Sequence, residues 1–324
     1  MCVTFVYFCA EGDDSPFKLI VINNRDEHLD RPTSDLAWEK GILAGRDEKD
    51  PARGTWLGVN KRGDLGNLLS ITQKPSQLNP KAQSRGTIPS DFLTSSMSAY
   101  DFCSAHSENA TQFNGFQFLG LNRGKTGFYE LCSLTNMLVE DIKPEQWPAG
   151  TYGFGNSPRS SSFQKVLRGE ALFKSALERV FEKKLSAKEA VPVLVDVLTD
   201  TKRCCPDEQI AFQTGHPESA YAFFTSVFVT SGLRYGTRSH SIFVVDKDDN
   251  ATFYEKRMTS VTEEGTQGEW TESTESFHLC PLGTKVTFRL DWTTSLRCYG
   301  TNLCCGRGYS TVAALKKKSN PPMK

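Results

Sequence analysis

A cysteine follows directly on the first methionine of this 324-residue chain, and that position allows a specific chemistry. Methionine is normally removed when the next residue is small, which would leave Cys2 with a free α-amine. Such an amine, with an ordinary pKa of about 7.7–8.0, can take the thiol proton without a separate histidine. Cys2 is therefore a candidate nucleophile that carries its own base. The alternative is a small buried apolar residue at the start of a strand.

A run of four polar residues, Asn24-Arg25-Asp26-Glu27, comes directly after an apolar stretch. We expect Asp26 to accept a hydrogen bond from the Cys2 amine. We expect Arg25 to lower the pKa of the thiol, because a nearby cation favours the thiolate. His28 is a candidate iron ligand near Cys2. The alternative for the whole run is a strand-end turn whose charged side chains face solvent.

Strands at both ends of the chain and helices in its middle are predicted to hold these residues. Strands over 3–9 and 18–23 would place Cys2 and the polar run at one sheet edge. Further strands are predicted at 56–59, 66–72, 116–122, 127–133, 222–230, 240–246, 251–257 and 284–290. Helices are predicted at 88–107 with Ser90-Asp91 as cap, at 163–184, and at 186–199 with Ser186 as cap and Glu189 completing it. Residues 259–275 are predicted to form an exposed loop. The order of these strands and helices along the chain predicts two packed sheets covered by helices.

Composition and hydropathy exclude several classes of protein. The 38 Lys and Arg residues equal the 38 Asp and Glu residues, so nucleic acid is not expected as a partner. No stretch approaches the roughly 18 apolar residues of a membrane-spanning helix, and no secretory or transit signal is seen. A cytoplasmic location is therefore expected. In such a location the ten cysteines are expected to be reduced. No pair of them has CxxC spacing, which excludes a zinc finger, and no metal site is predicted.

The domain organisation is predicted as one domain over 1–290 and a flexible tail over 291–324. The tail contains Cys298, Cys304-Cys305 and Lys316-Lys317-Lys318. A solvated, disordered segment is the simpler interpretation. The alternative is a lipidated, basic anchor that gives transient association with an organelle membrane.

Further motifs follow Cys2 and the polar run in a fixed order: Arg31-Pro32, Gly45-Arg46-Asp47, Gly54-Thr55-Trp56-Leu57-Gly58-Val59-Asn60, Asn114-Gly115-Phe116, Gly150-Thr151-Tyr152-Gly153, Asn156 and Tyr235-Gly236-Thr237-Arg238-Ser239. Over roughly residues 1–280 this order resembles the NRDE family of the transport and Golgi organisation type. That family is similar to cysteine N-terminal-nucleophile hydrolases. The resemblance implies an α+β fold, a four-layer αββα sandwich.

The resemblance also implies roles for individual residues. Cys2 matches the nucleophile and Asp26 the aspartate that follows it. Asn156 looks like the asparagine that donates to the oxyanion, and Arg238 looks like a late arginine of the site. One departure stands at Ser70-Ile71-Thr72, where family members often read Leu-Thr-Asn, so an asparagine that could line the pocket is missing.

Two functions follow from the resemblance, and the residues do not choose between them. The first is intracellular haem handling, with haem as a transient ligand, no tightly bound cofactor, and association with mitochondria. Two Cys-Pro dipeptides, Cys205-Pro206 and Cys280-Pro281, are weakly in favour. The alternative is a cysteine amidase or thioesterase that acts on a small amide or acyl substrate.

In both cases a small molecule would bind in a pocket centred on Cys2. The expected ligand-binding residues are Asn24, Arg25, Glu27, His28 and Asn60. A protein with interactions alone would leave the pairing of Cys2 with Asp26 unexplained.

Overall fold

Two antiparallel sheets form the framework of residues 1–283, which are the residues that the computed structural model describes. Residues 1–283 form one unit. The predicted strand at 284–290 and the predicted tail at 291–324 lie outside the described residues. The predicted domain boundary at residue 290 therefore stays a prediction.

The strands are, in chain order, β1 Val3–Phe8, β2 Phe17–His28, β3 Ala37–Glu39, β4 Ile42–Ala44, β5 Leu57–Asn60, β6 Leu65–Ser70, β7 Phe116–Arg123, β8 Tyr129–Thr135, β9 Pro144–Trp147, β10 Gly150–Phe154, β11 Tyr235–Asp246, β12 Asn250–Met258 and β13 Trp270–His278. The helices are α1 Thr87–Thr94, α2 Ala99–Ser107, α3 Gln164–Glu182, α4 Ala187–Leu198, α5 Glu208–Thr214 and α6 Glu218–Tyr221.

The first sheet joins distant parts of the chain, whereas the second follows chain order. The first has the order β10-β1-β2-β11-β12-β13, and the second runs from β3 to β9. Strand β2 lies between β1 and β11, so the two predicted N-terminal strands are neighbours as expected. Each of these strands is antiparallel to the strands beside it.

Side-chain alternation divides the apolar residues into three layers. Val6, Leu19 and Phe243 from the first sheet pack between the sheets with Leu57 and Leu119 from the second. The opposite face of the first sheet packs on α3 and α4, and the outer face of the second packs on α1 and α2. The αββα sandwich is therefore confirmed.

Several predicted elements differ from the structure in instructive ways. The predicted helix at 88–107 is two helices, because Ser98 caps a new helix by accepting from the Asp101 backbone N–H. Its predicted cap at Ser90-Asp91 is wrong, since the first helix already begins at Thr87. The prediction of a strand at 222–230 is wrong. This segment begins with a 3-10 turn, and the side chains of Val227 and Val229 are buried although neither residue belongs to a strand.

The predicted loop at 259–275 contains the start of β13. This strand is at the edge of its sheet, and most of its residues are exposed, so polar composition concealed it. The helix predicted at 186–199 is confirmed, including the reciprocal cap between Ser186 and Glu189.

Among residues 1–283, none of the helices combines the length and the apolar character needed to cross a membrane.

Candidate active site

Four neighbouring strands of the first sheet meet at one end and bring most of the predicted site residues together. Val3 pairs with Asn24, so the next residues in register are Cys2 and Arg25. Thr4 pairs with Phe154, and continuing that register by two residues places Asn156 opposite Cys2. On the other side of β2, Thr237 pairs with Asp26.

The Cys2 thiol is held by the backbone of Asp26. The Asp26 N–H donates to Sγ at 3.2 Å, and Sγ lies 3.5 Å from the Asp26 carbonyl oxygen, to which it donates. Burial raises the pKa of the thiol, although the nearby α-amine and Arg25 act in the opposite direction. Arg25 therefore acts on the thiol pKa in the expected direction, but desolvation outweighs the cation.

The Asp26 carboxylate binds the amine of the first residue. The Met1 nitrogen lies 3.2 Å from Asp26 Oδ2 and donates to the Tyr235 hydroxyl at 2.6 Å. Burial lowers the pKa of this amine, and the Asp26 charge acts against that shift. Asp26 thus contacts the thiol through its backbone and the amine through its side chain, which is the kind of pairing that the sequence predicted for a free Cys2 amine.

A buried lysine that sequence reasoning missed completes the surroundings of Asp26. Lys165 Nζ lies 3.4 Å from Asp26 Oδ2 and also donates to the Met1 carbonyl oxygen. Thr237 donates to Asp26 Oδ1 at 2.6 Å. Lys165 stands four and eight residues before the buried Gly169 and Phe173 of α3. Its place on the apolar face of a helix was the signal that could have found it.

Asn156 lies beside the segment where the family pattern is broken. Its side-chain nitrogen donates to the Ser70 carbonyl oxygen at 2.5 Å, and its backbone carbonyl accepts from the Thr72 N–H at 2.9 Å. Asn156 is 4% exposed, and its Oδ1 has no hydrogen-bond partner among the described residues. The amide nitrogen has two N–H groups and makes one hydrogen bond, to Ser70, so its second N–H is available to a ligand.

The two predicted arginines lie close to each other, since both donate to the Thr33 hydroxyl, and Arg25 is opposite Cys2 in register. The Arg25 guanidinium stacks over Trp56, with 4.2 Å from Cζ to the ring centroid, and lies 3.5 Å from Asp47 Oδ2. Arg238 occupies a β-bulge, since the register between β2 and β11 shifts there. It donates to the Arg31 carbonyl oxygen. Burial, followed by repulsion from Arg25 and another arginine, lowers the pKa of Arg238 to about 10.

The other predicted ligand-binding residues are placed less centrally. Asn24 is fully buried on the helix side of the sheet, where its side chain is bonded to two backbone carbonyls and to His240. Glu27 accepts from the His28 backbone N–H, and the exposed His28 ring meets Tyr235 edge-on. These two residues thus lie at the solvent side of the site.

Asn60 is at the far end of β5 from Trp56 and points to the α1 layer. It donates to Asp64 and to the Leu93 carbonyl oxygen, at 2.9 Å each. The alternation of β5 turns Leu57 and Val59 towards the other sheet and Asn60 away from it. The structure thus does not bring Asn60 to the residues around Cys2. Within residues 1–283, no group of three or more His, Cys, Asp or Glu is arranged to hold a metal ion.

Comparison with known proteins gives the family. The model of the family Transport and Golgi organisation 2 matches residues 1–260. The chain belongs to this family. A Transport and Golgi organization 2 homolog from Mus musculus is 32% identical over 265 residues, which cover 80% of this chain and 93% of the relative.

Other members of the family show similar agreement. The Homo sapiens homolog is 31% identical over 265 residues, which cover 80% of this chain and 93% of the relative. The Drosophila melanogaster protein is 27% identical over 288 residues, 84% of this chain and 96% of its own. Among solved structures, a mutant of conjugated bile acid hydrolase from Clostridium perfringens matches with a TM-score of 0.42 and 10% identity, covering 86% of this chain and 97% of that chain.

Proposed function

We propose that this family member is a cysteine amidase or thioesterase whose nucleophile is Cys2. One observation supports this most: Asp26 holds the Cys2 thiol through its backbone, and its carboxylate binds the Met1 amine, one residue from the Cys2 amine that removal of Met1 would free. A nucleophile and a base brought together in this way are what acyl transfer requires.

The reaction begins once removal of Met1 has freed the Cys2 amine. The amine takes the thiol proton, and the thiolate attacks the substrate carbonyl carbon to form a tetrahedral oxyanion. The free N–H of Asn156 is the candidate donor to that oxyanion. The amine then returns the proton to the leaving nitrogen or sulfur. Water, deprotonated by the same amine, hydrolyses the thioester and releases the acid.

Mass spectrometry of the purified native protein tests the first requirement. We expect an intact mass that lacks Met1, and retention of Met1 on active protein would contradict the amine-base mechanism. Turnover of a panel of amide and thioester substrates should be lost in C2A while the thermal unfolding midpoint persists. The matched control is C204A, a partly buried thiol of the same unit that lies outside the site.

Haem handling is the second candidate, and it is supported by the arginines beside Cys2. A thiolate can ligate haem iron, and Arg25 and Arg238 could pair with the two propionates. It ranks second because Arg25 already donates to Thr33 and lies against Asp47, so a propionate would have to displace these partners. The location inferred for either function is the cytoplasm, with mitochondrial or transient membrane contact in the case of haem.

A haem titration followed by absorption spectroscopy tests this second candidate. Binding through Cys2 predicts a shifted Soret band in the native protein that is absent in C2A. An identical spectrum for both proteins would contradict a role for Cys2 in holding haem.

A further inference from the structure

A patch of polar side chains interrupts the apolar layer between the sheets, directly beside Cys2. The register from β1 through β12 aligns Thr4, Asn23, Ser241 and Glu255 in one row. The next row on the same face lies two residues away along each strand and contains Arg25, Ser239 and Arg257. Continuing the register of β1 with β2 adds Cys2 to this row. These eight residues are named the polar floor. The floor therefore extends from the candidate nucleophile, just ahead of β1, across β2 and β11 to β12.

Glu255 is the least satisfied charged group of this floor. It is 2% exposed and accepts a hydrogen bond from Ser241 Oγ at 3.4 Å, while its Oε1 has no partner among the described residues. Arg257 does not pair with it, because its Nη2 donates to Asp35 and its Nη1 to the Met258 carbonyl oxygen. A buried carboxylate left in this state is costly unless a further group binds it.

Other atoms on the same face also lack partners. Asn23 Oδ1 and Ser239 Oγ belong to the floor, and Trp56 Nε1 belongs to the residue just before β5 of the facing sheet. Trp56 stacks on Arg25, which places it over the floor next to Cys2. Nearly all buried polar atoms of folded proteins are hydrogen-bonded, so unfilled donors and acceptors grouped on one face indicate a place for a polar ligand.

We propose that the substrate of Cys2 extends along the polar floor and presents a cationic nitrogen, an amine or a guanidine, to Glu255. This inference rests on the proposed acyl-transfer function and names its substrate class. Strands are spaced by about 4.8 Å, so the backbones of β1 and β12 lie roughly 14 Å apart. Glu255 also lies two residues out of register with Cys2, about 6.6 Å along the strands, which brings the separation to roughly 16 Å. A six-carbon chain with an amide at one end, joined to Sγ and hydrogen-bonded to the carboxylate, can bridge a span of this order.

A cation suits Glu255 better than a neutral donor because of the groups that face it. The charges of Arg257 and Arg25 favour its ionised form, and Asp35 opposes it, while burial raises the pKa of Glu255 to about 7. Arg257 is bonded to Asp35, and Arg25 lies against Asp47 and Thr33. Both arginines are thus already engaged, and a ligand cation would be the direct partner of the carboxylate.

Covalent labelling of Cys2 in the full-length protein tests this. The probes are N-(6-aminohexyl)chloroacetamide and its neutral analogue N-heptylchloroacetamide, and labelling is followed by mass spectrometry. We expect the cationic probe to react about tenfold faster at pH 8, the gain of one charged hydrogen bond. In E255Q the ratio of the two rates should fall to about one, while in E272Q, an exposed glutamate of the next strand, it should stay about tenfold.

The ratio should also fall as the pH is lowered from 8 to 6, because Glu255 becomes protonated. The titration of Cys2 affects both probes alike and cancels in the ratio. Equal rates for the two probes, no labelling of Cys2 by the cationic probe, or a ratio that persists in E255Q would each overturn the inference. Cation-selective labelling without turnover of any amide or thioester would instead contradict the proposed hydrolase and leave the cation site standing.

Discussion

Asp26 is the residue on which the site is built, since three different groups meet it. Its backbone holds the Cys2 thiol, and its carboxylate lies against the Met1 amine and Lys165. Lys165 and the Asp26 side chain are both fully buried, at 0% exposure. The stability of a charged carboxylate buried in this way depends on each cation that pairs with it.

We expect K165M to lower the free energy of unfolding by about 3 kcal/mol, because it leaves a buried carboxylate with one cation fewer. The control is K174M in the same helix, whose ion pair with Glu170 is half exposed and should contribute less than about 1 kcal/mol. Urea denaturation of the three proteins measures both values. Equal destabilisation by the two changes would contradict the role given to Lys165.

Two buried titratable groups should make opposite contributions to stability as the pH changes. Burial lowers the pKa of His240 to about 4. Its contribution to the free energy of unfolding is therefore lost as the pH falls from about 6.5 towards 4. Burial raises the pKa of Glu255 to about 7, so its contribution is present at low pH and lost as the pH rises from about 4.5 to 7.

We therefore expect E255Q to gain about 3 kcal/mol in unfolding free energy relative to the native protein between pH 4.5 and pH 8. Contributions from other groups, His240 included, cancel in this difference. Denaturation curves at several pH values measure it. Parallel dependence of the two proteins on pH would show that Glu255 keeps an ordinary pKa in the folded state.

Sequence alone could bring Cys2 and Asp26 together because β1 and β2 are joined by a short connection. It could mark Lys165 as buried on the apolar face of α3, but it could not place Lys165 beside Asp26, 139 residues away, because nothing local in α3 says which strand lies beneath it. Glu255 was missed for a similar reason. Its burial depends on the alternation of β12 against a second sheet, and a single charged residue in a strand more commonly faces solvent.

At the scale of elements, close contact between α3 and β1 positions Lys165. A methyl group added at Gly169 would lie 2.1 Å from the Phe5 ring, so only glycine lets the helix approach the sheet this closely. The same approach keeps Lys165, one turn earlier, within reach of Asp26.

We expect G169A to destabilise the protein by about 2 kcal/mol, although alanine is the better helix former by about 1 kcal/mol. S175A, at an exposed position of the same helix, should leave stability unchanged or raise it slightly. Thermal unfolding followed by circular dichroism compares the two. A stabilised G169A variant would mean that α3 does not sit against β1 as described.

Elements with strong local signals were predictable, and those defined by their neighbours were not. The capping residues Ser186 and Glu189 fix the start of α4 within the sequence itself. By contrast, β13 is a strand only because β12 offers it a partner, and the buried apolar residues at 227 and 229 reach the core without any strand.

At the scale of the molecule, the first sheet depends on strands from both ends of the described chain. Ile22 pairs with Ile242 and Leu19 with Val245, in the middle of the sheet and with no exposure to solvent. The four-layer arrangement could be predicted from the family resemblance, whereas the order of predicted strands and helices indicated two packed sheets without their strand order.

We expect the amides of 19–22 and 242–245 to exchange with deuterium most slowly, because opening them requires disruption of the whole sheet. Amides of β13, an exposed edge strand, should exchange faster by at least about tenfold. Hydrogen exchange followed by mass spectrometry gives both rates. Equal protection of β13 and β11 would contradict this distribution of stability.

The buried ion pair between the Met1 nitrogen and Asp26 has a practical consequence for anyone who handles this protein. A purification tag fused ahead of Met1 would turn that charged amine into an amide and force extra chain into a space closed by Lys165 and Tyr235. The tagged protein would then be assayed with its thiol site blocked. Tags therefore belong at the other terminus, or must be cleaved so that no residue remains in front of Cys2.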